Sequence, residues 1–320
     1  MSEPASPQND VQPIERVLHD ALDQGDMVLK TAGPILGHLL ANDDHSLFSD
    51  EIIARIRGMT GDCARQFVMA IASAQSIAEP YELLDELVPS LTNALIEEPA
   101  FVHHCHALVL EWHFAARLQS RGVVDAVLSP LLQTLIASND VDMAADGMAL
   151  LAAQARFMQQ IRRMELPLTE LSQAHFNLAL LTLDSHAGDA APETVNRATS
   201  NLREEFGEDA SRTGIARRLV RNMAKNAADT FVISQAGPAL YLSGLSAATD
   251  QPRDLIAMAT NDRQLARLAL TLRAAGLSPK AVTEQFAQLH PEISLPADFG
   301  LLRADRAAAM LARSGLRHSD

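Results

Sequence analysis

The sequence contains few cysteines and few aromatic residues. Among its 320 residues are two cysteines, one tryptophan, two tyrosines and 10 phenylalanines. Two thiols cannot supply a disulfide framework or a four-thiolate zinc site, and so few cysteines are typical of a reducing compartment. The low aromatic content, 4%, argues against a surface on which nucleic-acid bases stack. We therefore predict a cytoplasmic protein.

The motifs of common enzyme classes are also missing. The chain has no Gly-x-Ser-x-Gly nucleophile elbow, no phosphate-binding Gly-x-x-x-x-Gly-Lys and no His-Glu-x-x-His. Its longest uncharged stretch, residues 231–249, is interrupted by glycines, serines and a proline, which makes a poor membrane span. The sequence thus favours a non-enzymatic protein without a membrane segment, although an active site assembled from distant positions leaves no motif.

Apolar residues recur at intervals of three and four positions from Pro13 onward. This period is that of amphipathic helices, and no run alternates as a strand does. Pro99 predicts the start of a helix that reaches Leu118 and ends before Gly122, and Ser278 predicts another helix start. We predict an all-α fold with no sheet, which is either an irregular helical-hairpin repeat resembling an α-solenoid or a multi-helix bundle.

A shift of 96 positions superimposes residues 34–50 on residues 130–146. The matches include Pro34 on Pro130, Leu36 on Leu132 and an aspartate at the end of each segment. Helical hairpins bury their apolar faces only by stacking on neighbours, so repeats of roughly 40 residues are typical of solenoids. Because helices rich in alanine and leucine also resemble one another by composition, both forms of the all-α fold remain open.

Charge divides the chain into two unequal parts. Residues 1–196 carry 27 acidic and 10 basic side chains, whereas residues 197–320 carry 13 and 16, and the net charge is −14. The change falls in residues 184–192, a stretch typical of a linker. We therefore predict a disordered tail at 1–12, an acidic helical-repeat domain at 13–187 and a more basic helical domain at 188–320.

Residues 47–56 and residues 262–269 with 275–278 carry a resemblance to a known class of protein. They resemble segments of uncharacterised HEAT-like helical-repeat proteins of alphaproteobacteria. The resemblance implies a cytosolic helical scaffold. It brings no catalytic motif and assigns no function to any residue.

The densest polar cluster is the run His-His-Cys-His at 103–106, with Glu111 following. In a helix, His103 and His106 lie on one face about 60° apart, so their imidazoles can share a metal ion. A catalytic metal centre would need further ligands from other helices, since one helix offers only this pair. The alternative interpretation is that these histidines are buried and hydrogen-bonded between helices.

A second candidate site is a basic stripe at four-residue spacing. Arg217, Arg221 and Lys225 follow one another at that spacing, and Arg218 lies beside them. Such a stripe can bind a phosphate, a nucleic-acid backbone or an acidic protein surface. The alternatives are a solvated helix face and docking onto the acidic part of the same chain.

Taken together, these patterns predict a non-enzymatic helical scaffold or adaptor that binds another protein, and a homo-oligomer is compatible with them. One alternative is a metal-binding helical protein or enzyme that uses His103 and His106. The other is a nucleic-acid or phosphate binder that uses Arg217, Arg218 and Arg221. No cofactor is predicted apart from that metal ion.

Overall fold

The computed structural model describes residues 14–41, 50–188 and 191–314, which form fourteen α-helices and no strand. The prediction of an all-α fold is confirmed. The helices are α1 (Ile14–Ala41), α2 (Asp50–Ala74), α3 (Tyr81–Ile96), α4 (Pro99–Ser120), α5 (Pro130–Ile136), α6 (Val141–Arg162), α7 (Gln173–Ser185), α8 (Pro192–Glu205), α9 (Arg212–Met223), α10 (Ile233–Thr249), α11 (Arg253–Ala259), α12 (Leu265–Ala274), α13 (Pro279–Leu289) and α14 (Ala304–Arg313). Short 3₁₀ segments lie at Leu168–Glu170, Glu208–Ala210, Ala224–Phe231, Asp262–Gln264 and Ala297–Leu301. The tail predicted at 1–12 lies outside the described residues.

Several helices begin and end where local sequence signals place them. Pro99 occupies the first turn of α4, where a missing N–H costs no internal hydrogen bond. Gly122 follows that helix with φ of +68°, a left-handed conformation that glycine adopts without strain. Ser278 caps α13, since its Oγ accepts from the backbone N–H of Ala281 at 3.2 Å. These predicted boundaries are confirmed.

Helix α4 lies at the centre of the molecule. Thirteen of its 22 residues are buried, and it contacts α1, α2, α3, α6, α7, α10 and α11. The first helix, α1, also packs against α12, close to the other end of the chain. In a solenoid each repeat contacts only its neighbours, so these contacts agree with the bundle form of the prediction.

The two segments related by the 96-residue shift differ in structure. Pro34 lies inside α1, whereas Pro130 occupies the first turn of α5. A proline in a helix interior removes a backbone hydrogen bond, whereas a proline in the first turn removes none. Equivalent repeats would place these prolines alike, so the starts of the two segments differ, although both helices end at corresponding positions within one residue. The helical repeat stays a prediction. Residues 42–49 of the first segment lie outside the described residues.

Buried apolar side chains form two clusters. The first includes Phe67 of α2 and Phe176 of α7, and the second includes Phe114 of α4 and Phe286 of α13. Helix α8 packs on α2 in the first cluster, although it follows residue 188, and the first half of α1 packs in the second. The clusters therefore do not follow the predicted division into 13–187 and 188–320. That division came from the change in net charge along the chain, whereas the packing of each helix depends on its apolar face.

No helix in the described ranges combines the length and the apolar composition that crossing a bilayer requires.

Helix α10 packs closely on the segment Ala224–Phe231, and this contact gives a test of the packing. A Cβ added to Gly244 would overlap Oγ1 of Thr230 and lie 2.6 Å from its Cβ. A Cβ added to Gly61, inside α2, would meet only Oγ1 of Thr92 at 3.8 Å. We expect Gly244→Ala to lower the free energy of unfolding by about 1–3 kcal/mol through overpacking, and Gly61→Ala to raise it by up to about 1 kcal/mol. Urea unfolding measures both, and equal stability of the two variants would contradict the packing described.

Candidate functional site

The largest group of buried charges surrounds Arg212, the first residue of α9. Its side chain is buried between Glu111 of α4 and Glu170 of the segment Leu168–Glu170. Nη1 donates to Glu111 at 2.6 Å, and Nε donates to Glu170 at 3.0 Å. Nη1 also donates to Oε1 of Gln154 at 3.2 Å, and the guanidinium carbon lies 3.6 Å from the ring centroid of Phe157.

Each of the three nitrogens of this guanidinium donates at least one hydrogen bond. Nη2 donates to Glu111 at 3.2 Å and lies within ion-pair distance of Glu170, at 2.9 Å. Arg253, at the start of α11, forms a second bidentate pair, in which Nη1 and Nη2 each donate to Glu111 at 2.7 Å. Two arginines thus balance two glutamates. A buried ion pair is stable only when it is satisfied to this degree.

The charged state of these groups follows from their mutual attraction. Burial alone would raise the pKa of Glu111, but the guanidiniums of Arg212 and Arg253 lower it well below its usual range. Burial alone would lower the pKa of Arg212, and Glu111 and Glu170 raise it instead. Because these shifts keep both Glu111 and Arg212 charged near neutral pH, their ion pair joins α4 to α9 and is not set up for proton transfer.

Two turns before Glu111 on α4, His104 extends this group of charges. Its Nδ1 lies 2.6 Å from Oδ2 of Asp254, and its Nε2 lies 3.1 Å from the backbone oxygen of Glu170. The ring of His175 stacks on that of His104, with 4.3 Å between centroids. These contacts, one of which passes through the backbone oxygen of Glu170, connect six residues into one group. We call it the buried charge network: His104, Glu111, Glu170, Arg212, Arg253 and Asp254.

The partners of His104 require a doubly protonated ring. The carboxylate of Asp254 and the carbonyl of Glu170 are both acceptors, so both ring nitrogens must donate. Burial alone would lower the pKa of His104, but Asp254 raises it above its ordinary value. Burial, with the charge of His104, lowers the pKa of His175 to about 4. The stack therefore pairs a charged imidazole with a neutral one.

His104, His175 and Asp254 also have the composition of a metal site. Their ligand atoms lie within 4.8 Å of one another. Hydrogen bonds already occupy both nitrogens of His104 and one oxygen of Asp254, and a metal ion would have to displace the proton that joins them. The geometry is that of a buried ion pair.

The predicted ligands His103 and His106 lie beside this network on α4. His103 is half-buried and His106 is buried. Burial lowers the pKa of both, that of His106 to about 4. In the part of the chain that the structure describes, no third histidine, cysteine or carboxylate completes a group of ligand atoms with them. Glu111, the nearby acid, is engaged by two arginines. Metal binding at His103 and His106 stays a prediction.

Two members of the predicted basic stripe pair with acids of the same chain. Arg217 lies 2.9 Å from Asp209, and Arg218 forms a bidentate pair with Asp146 of α6 at 2.6 and 2.8 Å. The other two members of the stripe are exposed, namely Arg221 and Lys225. Binding of an anionic partner by the stripe stays a prediction, and for two of its four members it would compete with ion pairs within the chain.

The outward side of α3 carries acidic side chains and an exposed tyrosine. Its exposed residues continue to the residue after the helix, and we call them the α3 face: Tyr81, Glu82, Asp85, Glu86, Pro89, Ser90, Asn93 and Glu97. The side chain of Tyr81 is 69% exposed. Between residues 66 and 116 the sequence has no lysine or arginine. Among the described residues, no basic side chain forms an ion pair with the carboxylates of this face.

Sequence reasoning missed Glu170, His175 and Asp254. Each becomes important only because the fold brings it to α4, and no local spacing marks it. One signal was available at Arg212, because it precedes the apolar positions Ile215 and Leu219 on the buried side of α9.

Comparisons with protein-family models, with curated proteins and with solved structures find no match for this chain. No relative therefore suggests a role for the buried charge network or the α3 face. The resemblance to HEAT-like proteins stays a prediction.

Replacing Arg212 tests the buried charge network. In Arg212→Met, Glu170 loses its ion-pair partner and Glu111 keeps only Arg253, so we expect a loss of about 3–5 kcal/mol in the free energy of unfolding. Arg217→Met is the matched control, because it makes the same change on the same helix at a side chain that is 56% exposed. We expect it to change stability by about 0.5 kcal/mol or less. Urea unfolding compares them, and similar losses would show that the network is not stabilising.

The His104–Asp254 pair predicts a dependence of stability on pH. Because Asp254 raises the pKa of His104 in the folded state, the pair stabilises the fold fully below the unfolded pKa, and this contribution is lost as pH rises through the folded pKa. We expect the stability difference between wild type and Asp254→Asn to shrink as the pH rises above the ordinary histidine pKa of about 6.5. Imidazole ¹⁵N NMR, assigned with His104→Gln, should also show a lower pKa of His104 in Asp254→Asn. An unchanged pKa would contradict the pairing.

Proposed function

We propose that the protein is a non-enzymatic helical scaffold that binds a positively charged segment of another protein through the α3 face. The observation that carries this proposal is the composition of that face, in which Tyr81 stands among carboxylates that have no basic partner in the described part of the chain. Carboxylates in such a position favour a cationic ligand, because a partner that brings lysine or arginine supplies the missing opposite charge.

The way α3 is held supports a docking role. Its inward residues Leu87, Leu91 and Leu95 are buried against the first apolar cluster, and the helix packs on α2 and α4. A helix fixed in this way presents its outward side chains in one arrangement. Binding then costs little ordering of the scaffold itself, which increases affinity.

The location of basic side chains in the rest of the chain also supports a cationic partner. Arg212 and Arg267 are buried, and Arg218 is paired with Asp146. These cations face acids inside the chain, so they leave the carboxylates of the α3 face uncompensated. A net charge of −14 adds a long-range field that attracts cations and speeds their encounter with the protein.

Tyr81 supplies the apolar contact that charge alone does not. Tyrosine is enriched among the residues that dominate binding energy in interfaces, because it buries a large area with few rotatable bonds. A basic segment with an arginine or an aliphatic residue over Tyr81 would use both features.

Charge reversal on the α3 face tests the proposal. The probe is a fluorescent basic helical peptide about as long as α3, which has 16 residues, and fluorescence polarisation measures its affinity. We expect Asp85→Lys/Glu86→Lys to weaken binding by about 5–30-fold, which corresponds to about 1–2 kcal/mol. The control is Glu204→Lys/Glu205→Lys, which changes the net charge equally at another exposed adjacent pair, on α8.

The control separates a local site from general attraction. Equal weakening by both double variants would mean that the peptide responds only to net charge, and would contradict a site on α3. Tyr81→Ala leaves the charge unchanged, and we expect it to weaken binding as well. If Tyr81→Ala leaves peptide binding unchanged and the two double variants weaken it equally, the proposal is contradicted.

The two alternative functions stay predictions. For a metal-binding protein or enzyme at His103 and His106, and for a nucleic-acid or phosphate binder at Arg217, Arg218 and Arg221, the support is the residue pattern that suggested them.

A further inference from the structure

His290, the residue that follows α13, lies apart from both the buried charge network and the α3 face. Its side chain is fully buried and meets two largely exposed carboxylates. Its Nδ1 lies 3.0 Å from Oδ1 of Asp262 and 4.0 Å from Oε1 of Glu292. The ligand atoms of the three residues all lie within 4.8 Å of one another. Three side chains of metal-ligating type therefore converge at one place on the surface.

Different parts of the fold bring these residues together. Asp262 begins the 3₁₀ segment Asp262–Gln264 between α11 and α12. His290 and Glu292 lie on either side of Pro291, whose fixed φ limits the backbone between them. Arg121, after α4, donates from Nη1 to the backbone oxygen of Leu289 at 3.0 Å, which holds the end of α13 in position. The arrangement is thus supported by backbone structure on both sides.

The ring of His290 lacks the hydrogen bonds that a buried histidine normally has. Within the described residues neither ring nitrogen forms one, and Nδ1 approaches Asp262 outside hydrogen-bond geometry. A cation bound between Nδ1 and Oδ1 of Asp262 would satisfy the ring nitrogen and the carboxylate together.

The spacing fits a metal ion. Nitrogen and oxygen ligands lie about 2.0–2.2 Å from zinc, so two ligands of one ion are roughly 3.0–3.5 Å apart. The 3.0 Å between Nδ1 of His290 and Oδ1 of Asp262 falls in this range. Glu292 is farther by about 1 Å, and its side chain is 56% exposed, so a change of rotamer can close that distance.

We propose that Asp262, His290 and Glu292 bind one divalent transition-metal ion, with zinc favoured and water completing the coordination. The imidazole nitrogen favours zinc and its neighbours in the first transition row over magnesium and calcium, which prefer oxygen ligands alone. This site is independent of the α3 face, and it joins the turn before α12 to the end of α13.

Arg117 places a positive charge beside this site. Its Nη1 lies 3.7 Å from Oδ1 of Asp262, and its Nη2 donates to the backbone oxygen of Thr260 at 3.1 Å. A positive charge so close opposes a second cation and competes for the Asp262 carboxylate. Removal of that charge should therefore strengthen metal binding, a result that a purely structural role for Asp262 and His290 would not produce.

The experiment is a zinc titration of the metal-free full-length protein in competition with a chromophoric chelator. We expect one tight ion per chain and a weakening of at least about 10-fold in Asp262→Asn and in Glu292→Gln. We expect Arg117→Met to tighten binding by about 3–10-fold, because it removes a nearby like charge. Cobalt in place of zinc should give visible absorption bands that both carboxylate variants lose.

The variants are chosen so that folding does not decide the result. The carboxylates are exposed, whereas replacement of the buried His290 can prevent folding. Glu284→Gln and Asp298→Asn are the matched controls, since they remove exposed carboxylates elsewhere in the same region, and we expect them to leave affinity unchanged. Absence of zinc binding at micromolar concentrations, or zinc binding that Asp262→Asn and Glu292→Gln do not weaken, would overturn the proposal. Loss of zinc only in His103→Gln would overturn it in favour of the predicted pair on α4.

Discussion

A buried guanidinium must find acceptors for all of its N–H groups, and Arg212 imposes this condition on the fold. An unpaired charge in the interior costs several kcal/mol, roughly as much as many domains have in total stability. The acceptors come from α4, α6 and the segment Leu168–Glu170, and Glu111 lies 101 positions from Arg212 in the sequence. Helices that apolar contact alone could pack in several ways are therefore held in one relative position.

The buried charge network lies where the two apolar clusters meet. On α4, Leu108 belongs to the first cluster and Phe114 to the second, and Glu111 lies between them. Arg212 shows the same division, because its guanidinium stacks on Phe157 of the first cluster while Ile215 on its own helix packs in the second. Apolar burial supplies most of the stability, but it is not directional. The ion pairs fix the relative orientation of the helices at the boundary between the two clusters.

The sequence allowed the helical fold and several helix boundaries to be predicted, but not the site. Pro99 and Ser278 act within one turn of their own position, so a local signal is sufficient to place them. The sequence predicts a basic stripe in the run from Arg212 to Lys225. Nothing near Arg212 in sequence indicates that a carboxylate from α4 contacts it. His104 could not be identified from the sequence for the same reason. Helical geometry points to His103 and His106 as a pair of ligands, whereas the partner of His104 is Asp254, which comes from α11. Long-range pairing of single polar residues leaves no periodic signal.

A buried polar group needs hydrogen-bond partners, and this requirement has opposite outcomes at two buried histidines that contact acids. Both His104 and His290 are fully enclosed and face a carboxylate at 3.0 Å or less. His104 has an acceptor at each nitrogen, so two protons satisfy the ring and leave it no lone pair for a ligand. Within the described residues His290 has a hydrogen bond at neither nitrogen, so its Nδ1, which lies 3.0 Å from Asp262, is not engaged in the way that the nitrogens of His104 are. Equal burial and similar neighbours thus produce an ion pair in one place and a metal-binding geometry in the other, and the difference lies in the direction of the acceptors around the ring.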